Sequence, residues 1–159
     1  MKQKELSRWL RSVVIVGWCA CGLLSFAVAP YMAYDAVLLA PELAPLKWPC
    51  LILFWAAMVI VAIALWHGWK IFGEIGRDNS FCAENARRLR VISRLALTDT
   101  VLCLVPIVLL LFFHGLHPGV FLLLMLIAAV GAGITVAAAA LSHLTMKAAA
   151  IQDENDLTV

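Results

Sequence analysis

Three ionisable residues, His67, Asp99 and His143, lie inside or at the edge of runs that are otherwise free of charge. An aspartate at mid-bilayer costs on the order of 3 kcal/mol on insertion scales, so a chain that keeps one must satisfy it or use it. His67 precedes Lys70 by three residues, His143 precedes Lys147 by four, and Asp99 follows Arg94 by five. This spacing predicts an intramembrane polar cluster in which the three side chains meet in one layer near the inner boundary. Asp99 shares a helical face with Cys103 and Pro106, and that proline leaves the carbonyl of Leu102 without its usual donor. His143 shares a face with Ala129, Ala132, Val136 and Ala139, small residues that let helices approach closely. Such a cluster can relay protons or, with Thr98 and Thr100, hold a cation weakly. It can equally be a satisfied network that keeps helices in register.

Other chemistry is sparse. His114 and His117 have a His-x-x-His spacing, but two imidazoles are too few ligands for a metal site, so no metal is expected. Of the five cysteines, only Cys50 lies near the outer surface, which excludes an outer disulfide pair. The others read as small apolar packing residues. No phosphate-binding glycine loop, Ser-His-Asp set, zinc-finger spacing or nucleic-acid module occurs. No catalytic residue and no cofactor are expected, and the chain does not read as an enzyme.

The elements that must position these residues follow from composition. Of 159 residues, 64% are hydrophobic and only 14% charged, and the mean hydropathy is +0.97. These values exclude a soluble globular domain, a disordered chain and a coiled-coil rod. A hydrocarbon layer about 30 Å thick needs roughly 20 apolar residues per helix. Four segments qualify: about 13–34, 50–69, 95–113 and 120–146, within one membrane domain covering 1–159. The predicted fold is an all-α bundle of four transmembrane helices. Eleven of the twelve Lys and Arg residues fall on one side if both termini are cytoplasmic, and only Lys47 lies outside. That is the positive-inside pattern. Tyr31, Tyr34, Trp48, Phe112 and Phe113 mark the outer edge; Trp9, Trp66 and Trp69 mark the inner one. Ala27-Val28-Ala29 imitates a signal-peptide cleavage site, but Pro30 disfavours a peptidase there, so the first span is expected to be retained.

Outside the spans, the outer connection Asp35–Pro49 carries Pro41, Pro45 and Pro49 and is expected to be a short ordered loop. The inner connection, 70–94, contains a predicted helix from Phe81 to Arg94, capped by Asn79 or Ser80. Arg87, Arg90 and Arg94 share one of its faces, which suits anionic lipid headgroups or an acidic partner better than DNA. The cytoplasmic tail, 147–159, brings Asp153, Glu154 and Asp156 to the same side. A weak clasp between tail and inner loop is plausible on charge, at about 0 to 1 kcal/mol per exposed pair.

The stretch Asn79-Ser80-Phe81-Cys82-Ala83-Glu84-Asn85-Ala86-Arg87-Arg88-Leu89-Arg90-Val91-Ile92 and the ending Glu154-Asn155-Asp156-Leu157-Thr158-Val159 resemble an uncharacterised bacterial family. It is a domain-of-unknown-function family of small four-span membrane proteins. Its members are often encoded beside a Cro/C1-type helix-turn-helix regulator, so the resemblance implies a location and a partner class but no mechanism. The expected function is that of a membrane accessory or regulatory protein. Its cytoplasmic interaction surface is built from Phe81, Arg87, Arg88, Arg90, Asp153, Glu154 and Asp156. The alternative is an oligomeric proton- or ion-conducting subunit using Asp99, His67 and His143, assembled as a homo-oligomer through the small residues of the fourth span.

Overall fold

The computed structural model describes residues 3–77, 79–113 and 115–156, and among them all regular structure is helical. The first rod contains α1 (Gln3–Leu23), a π-helical turn (Leu24–Val28) and α2 (Ala29–Leu39). Its backbone stays right-handed helical through both junctions, at Leu23 and Ala29. The sequence explains the wide turn. The N–H of Ala29 bonds back to the carbonyl of Leu24, and the next donor in that five-residue pattern would be Pro30, which has none. The freed carbonyl, that of Ser25, takes the indole N–H of Trp55 at 3.0 Å.

Ala40 leaves helical geometry, with φ −140° and ψ 85°, and Pro41–Leu46 forms a 3₁₀ turn. The outer connection is therefore shorter than expected. Helix enters it from both sides, because Asp35 lies within α2 and Pro49 is the third residue of α3 (Lys47–Gly76), where a missing N–H costs nothing. Lys47 Nζ lies 3.1 Å from the centre of the Tyr34 ring and 5.6 Å from that of Trp48, so the one basic residue at this end is held by two aromatic faces. Leu43 packs over Gly115, where any side chain would collide with it, and so ties this turn to the connection before α5.

Helix α4 covers Ala83–Phe112 and α5 covers Pro118–Asp156. The residue before α4 is Cys82, in extended conformation and without a side-chain cap. Asn79 and Ser80 do not cap it. Their carbonyls are instead occupied by Asn85, whose amide nitrogen donates to both, at 3.4 and 3.1 Å. At the start of α5, His117 Nδ1 accepts the Gly119 N–H at 3.1 Å, and its carbonyl accepts that of Phe121. The His117 side chain thus satisfies one of the orphan donors of a helix start, and its carbonyl accepts the first regular helical bond. His114 lies outside the described residues.

The predicted spans fall within longer helical rods, except that the third overruns the end of α4 by one residue, Phe113, and all four rods are long and apolar enough to cross a membrane. They pack as a row: α1 against α3, α3 against α4, and α4 against α5. A four-helix bundle closed on itself would add substantial contact between the first and last rods, and among the described residues no substantial contact joins them. The accessible surface is 10680 Å², against roughly 7,900 Å² for a compact soluble protein of this mass. Much of the excess is Val, Leu, Ile and Phe on the flanks of the row, the composition of a surface facing lipid.

The closest seam is α4–α5. Ala86, Ser93, Thr100 and Ile107 recur at seven-residue steps on α4 and face Ala128, Gly131, Thr135, Ala138, Ser142, Thr145 and Ala149 on α5. Ser142 Oγ donates to the Ala86 carbonyl at 2.7 Å, and Ser93 Oγ to the Thr135 carbonyl at 2.8 Å. Without a hydrophobic force between helices in lipid, small residues and hydroxyl bonds of this kind hold them together. The face of α5 used here is rotated by about one residue from the expected Ala129, Ala132, Val136, Ala139 stripe, which is exposed.

Candidate interaction surface and intramembrane polar residues

The α4–α5 register fixes the depth of the ionisable residues. Seven residues forward on α4 match seven back on α5, since Ala86 lies opposite Ser142 and Ser93 opposite Thr135. His143 is therefore level with the first turn of α4. Asp99 stands thirteen residues beyond Ala86, about 20 Å along the helix at 1.5 Å per residue. His143 is also exposed, on the flank of α5 away from α4. His67 is within electrostatic reach of Lys70, Arg88 and Glu84, and Asp99 lies eleven residues, about 16 Å, further along α4 than Arg88. The three side chains do not form one layer. Among the described residues no hydrogen bond or ion pair joins any two of them.

Asp99 is instead alone among apolar residues. It is partly buried, its Oδ1 is screened from solvent without a hydrogen-bond partner, and the titratable side chain within its reach is that of Cys103 one turn on. Neither neighbouring hydroxyl turns to it: Thr98 Oγ1 donates to the Arg94 carbonyl and Thr100 Oγ1 to that of Ala96. No group of three or more His, Cys, Asp or Glu side chains with metal-binding geometry occurs among the described residues.

At the basic end, α4 separates its arginines by direction. Arg88 turns inward, pairs with Glu84 at 3.3 Å across one helical turn, and is largely buried. Arg87, Arg90 and Arg94 are exposed, and Phe81 beside them is 59% exposed. Among the described residues none of these three arginines has an ion pair. Arg88 Nη1, His67 Nδ1 and Asn85 Oδ1 are all buried there without a partner, so this part of the α3–α4 interface is more polar than its charges alone indicate. The sequence signal for it was Asn85, the most deeply buried large side chain at 1% exposure: an amide two residues into a helix, just after a turn, is placed to bond the carbonyls behind it.

The described part of the tail is helical. α5 runs 39 residues, to Asp156, about 58 Å, which is nearly twice a hydrocarbon thickness. By the same register, position 145 is level with the start of α4 at Ala83, and the acidic positions 153, 154 and 156 lie beyond it. The side chains of Asp153 and Asp156 lie outside the described residues. Glu154 is exposed. The helix itself carries these positions about 20 Å or more past the level of Arg90.

Across the membrane-proximal end, α1 is held to α3 by a separate polar and aromatic set. Ser7 Oγ donates to the Phe72 carbonyl at 2.6 Å, and the Arg11 guanidinium lies 5.0 Å from the Trp69 ring centre. Trp18 stacks against both Trp66 and Trp69 at 6.0 Å.

Four apolar rods in a row, each long and apolar enough to cross a membrane, give the chain the make-up of a multi-pass membrane protein. The chain belongs to the family described as "Protein of unknown function (DUF2975)", whose model matches residues 31–159. No curated protein and no solved structure matches it.

Proposed function

We propose that the protein is an accessory or regulatory protein of the bacterial inner membrane. Both termini are cytoplasmic, and the projecting end of α5 is its contact for a soluble partner. The topology rests on the placement of ten of the eleven described basic residues at one end of the rods, with Lys47 at the other. The observation that carries the partner reading is the reach of α5: the helix continues past the start of α4 to Asp156 and carries the acidic positions 153, 154 and 156 with it, while Phe81 and Arg87 are exposed. An acidic helix end attracts a basic surface, and DNA-binding proteins present one. A Cro/C1-type helix-turn-helix regulator, the partner class implied by the family resemblance, fits that chemistry. Its capture would remove it from DNA.

Cross-linking in intact membranes, followed by purification and identification of what accompanies the protein, tests this. The full chain is expected to retain a cytoplasmic protein that a chain ending at Ile151 loses, with equal membrane insertion. Equal recovery from both, or recovery of the protein alone, overturns the reading.

A second reading, ion or proton conduction by an oligomer, draws support from one observation: the Asp99 carboxyl lies within a span with a buried, unpartnered oxygen. With His67 and His143 at other depths, it rests on Asp99 alone. A pH-dependent flux in liposomes abolished by Asp99→Asn would favour it, and the absence of flux would eliminate it.

A further inference from the structure

One face of α4 is unoccupied by protein along its whole length, and it changes character once. Arg87, Arg90 and Arg94 occupy its basic end, all exposed. Thr98 follows, and then a shallow apolar groove of about 340 Å³ lined by Val101, Leu104, Val105, Val108 and Leu109. At 100° per residue, Arg87, Arg90, Arg94, Thr98, Val101, Val105 and Val108 lie within a stripe about 80° wide, so arginines and groove are one surface. The two acids of α4 are elsewhere: Glu84 pairs with the inward Arg88, and Asp99 is turned a third of a turn from the stripe. No described anion neutralises the three guanidiniums. Since α4 is an inner member of the row, α3 and α5 flank this stripe on either side.

We propose that this stripe is a binding site for one anionic phospholipid, with the phosphate on Arg90 and Arg94 and an acyl chain in the groove. Guanidinium meets phosphate with two parallel donors, and the planar fork suits that geometry better than an ammonium. The distances agree with this occupant. Arg94 adjoins the start of the apolar run, and half of a 30 Å hydrocarbon layer, about 15 Å, spans ten residues from Arg94 to Leu104. A chain leaving a headgroup at Arg94 therefore passes Val101 and reaches the groove within its own leaflet. A soluble phosphate would use the arginines and leave the groove bare; a zwitterionic lipid would fill the groove and bring a cation to the arginines. The combination selects a lipid of net negative charge. This site is independent of the partner reading, because it lies on α4 below Arg87 and needs neither the tail nor a second protein.

Native mass spectrometry of the full-length protein released from nanodiscs tests the site. The discs contain phosphatidylglycerol and phosphatidylcholine of identical acyl chains in equal amounts. Retention of one phosphatidylglycerol per chain, at least tenfold over phosphatidylcholine, is expected. Arg90→Gln with Arg94→Gln should abolish the preference, and Val105→Trp, which fills the groove, should lower retention about tenfold with all arginines present. Glycerol 3-phosphate at millimolar concentration should not displace the lipid. Arg90, Arg94 and Val105 are all exposed, so an unchanged circular dichroism spectrum and melting temperature certify the fold of each variant. Equal retention of the two lipids, or a preference that survives the double arginine variant, overturns the site. Displacement by glycerol 3-phosphate, or indifference to Val105→Trp, overturns the lipid as its occupant.

Discussion

The indole of Trp55 on α3 donates to the backbone carbonyl of Ser25 in the π-helical turn of the first rod, at 3.0 Å. That carbonyl is free because Pro30 offers no N–H in the five-residue pattern set by Ala29 and Leu24. In lipid an unpaired carbonyl has no water to turn to, so the bond joins a local irregularity to the packing of α1 on α3.

Trp55→Phe should lower stability by about 1 to 2 kcal/mol, the cost of leaving a buried acceptor unmet. Pro30→Ala supplies a backbone donor for the same turn. The loss from Trp55→Phe should then shrink by at least half in the Pro30→Ala background. A double-mutant cycle on thermal unfolding in detergent measures this, and additive effects would separate the proline from the indole.

Two glycines two residues apart on α5 should behave oppositely. A methyl at Gly131 would collide with Thr100 Oγ1 on α4, whereas one at Gly133 meets nothing within 4 Å. Gly133→Ala should be neutral or stabilising by up to about 1 kcal/mol, from helix propensity. Gly131→Ala must displace the Thr100 hydroxyl from its bond to Ala96 or push the seam apart, and is expected to lose about 1 to 3 kcal/mol. Melting temperatures of the two variants, compared in one detergent, decide the matter. If Gly131→Ala is also neutral, the α4–α5 seam is looser than its hydroxyl bonds indicate.

The same seam shows why the four helices were legible in the sequence and the polar layer was not. A run of twenty apolar residues is a local property, and so is the one-sided placement of lysines and arginines. Depth was counted from the nearest charge on each helix, taking Arg94 and Lys147 as equivalent marks. They are not: Arg94 stands eleven residues inside α4, while Lys147 lies beyond the level at which α4 begins. Pairing between helices fixes relative depth, and it resides in contacts such as Ser142 to Ala86 that no single helix announces. The packed face of α5 was misplaced for a related reason. Alanines recur on nearly every side of that helix, and Gly131, Thr135 and Ser142 choose among them by what they meet on α4. Pro30 was visible as a break; Trp55 as its remedy was not.

Asp99 should be dispensable for folding. Its carboxyl lacks a hydrogen bond on one oxygen and no histidine faces it, while a charged or polar side chain within a span carries an insertion cost of about 3 kcal/mol. Asp99→Leu is therefore expected to raise the melting temperature by several degrees, and His143→Ala, at an exposed position, to leave it unchanged. A fall in stability for Asp99→Leu would mean that the carboxyl has a structural partner, and a matching fall for His143→Ala would identify it.

Asn85 should hold the inner connection closed. Its amide nitrogen donates to the carbonyls of Asn79 and Ser80, and the side chain is almost fully buried. Asn85→Ala removes both bonds and strands two carbonyls, at a cost of about 1 to 3 kcal/mol. The effect should be local, because α4 is anchored further along by Ser93 and Thr100. Trypsin cleavage after exposed Arg77 in inside-out vesicles is the readout, and an acceleration of roughly tenfold is expected. Asn85→Asp separates the donor from the shape. An ionised carboxyl at this position has no proton to give and adds a buried charge, so cleavage should be faster than in Asn85→Ala at neutral pH. Protonation restores one donor, so protection should return as pH falls through the carboxyl's titration. Cleavage of Asn85→Asp that is slow and independent of pH would mean that the connection is held by something other than this amide.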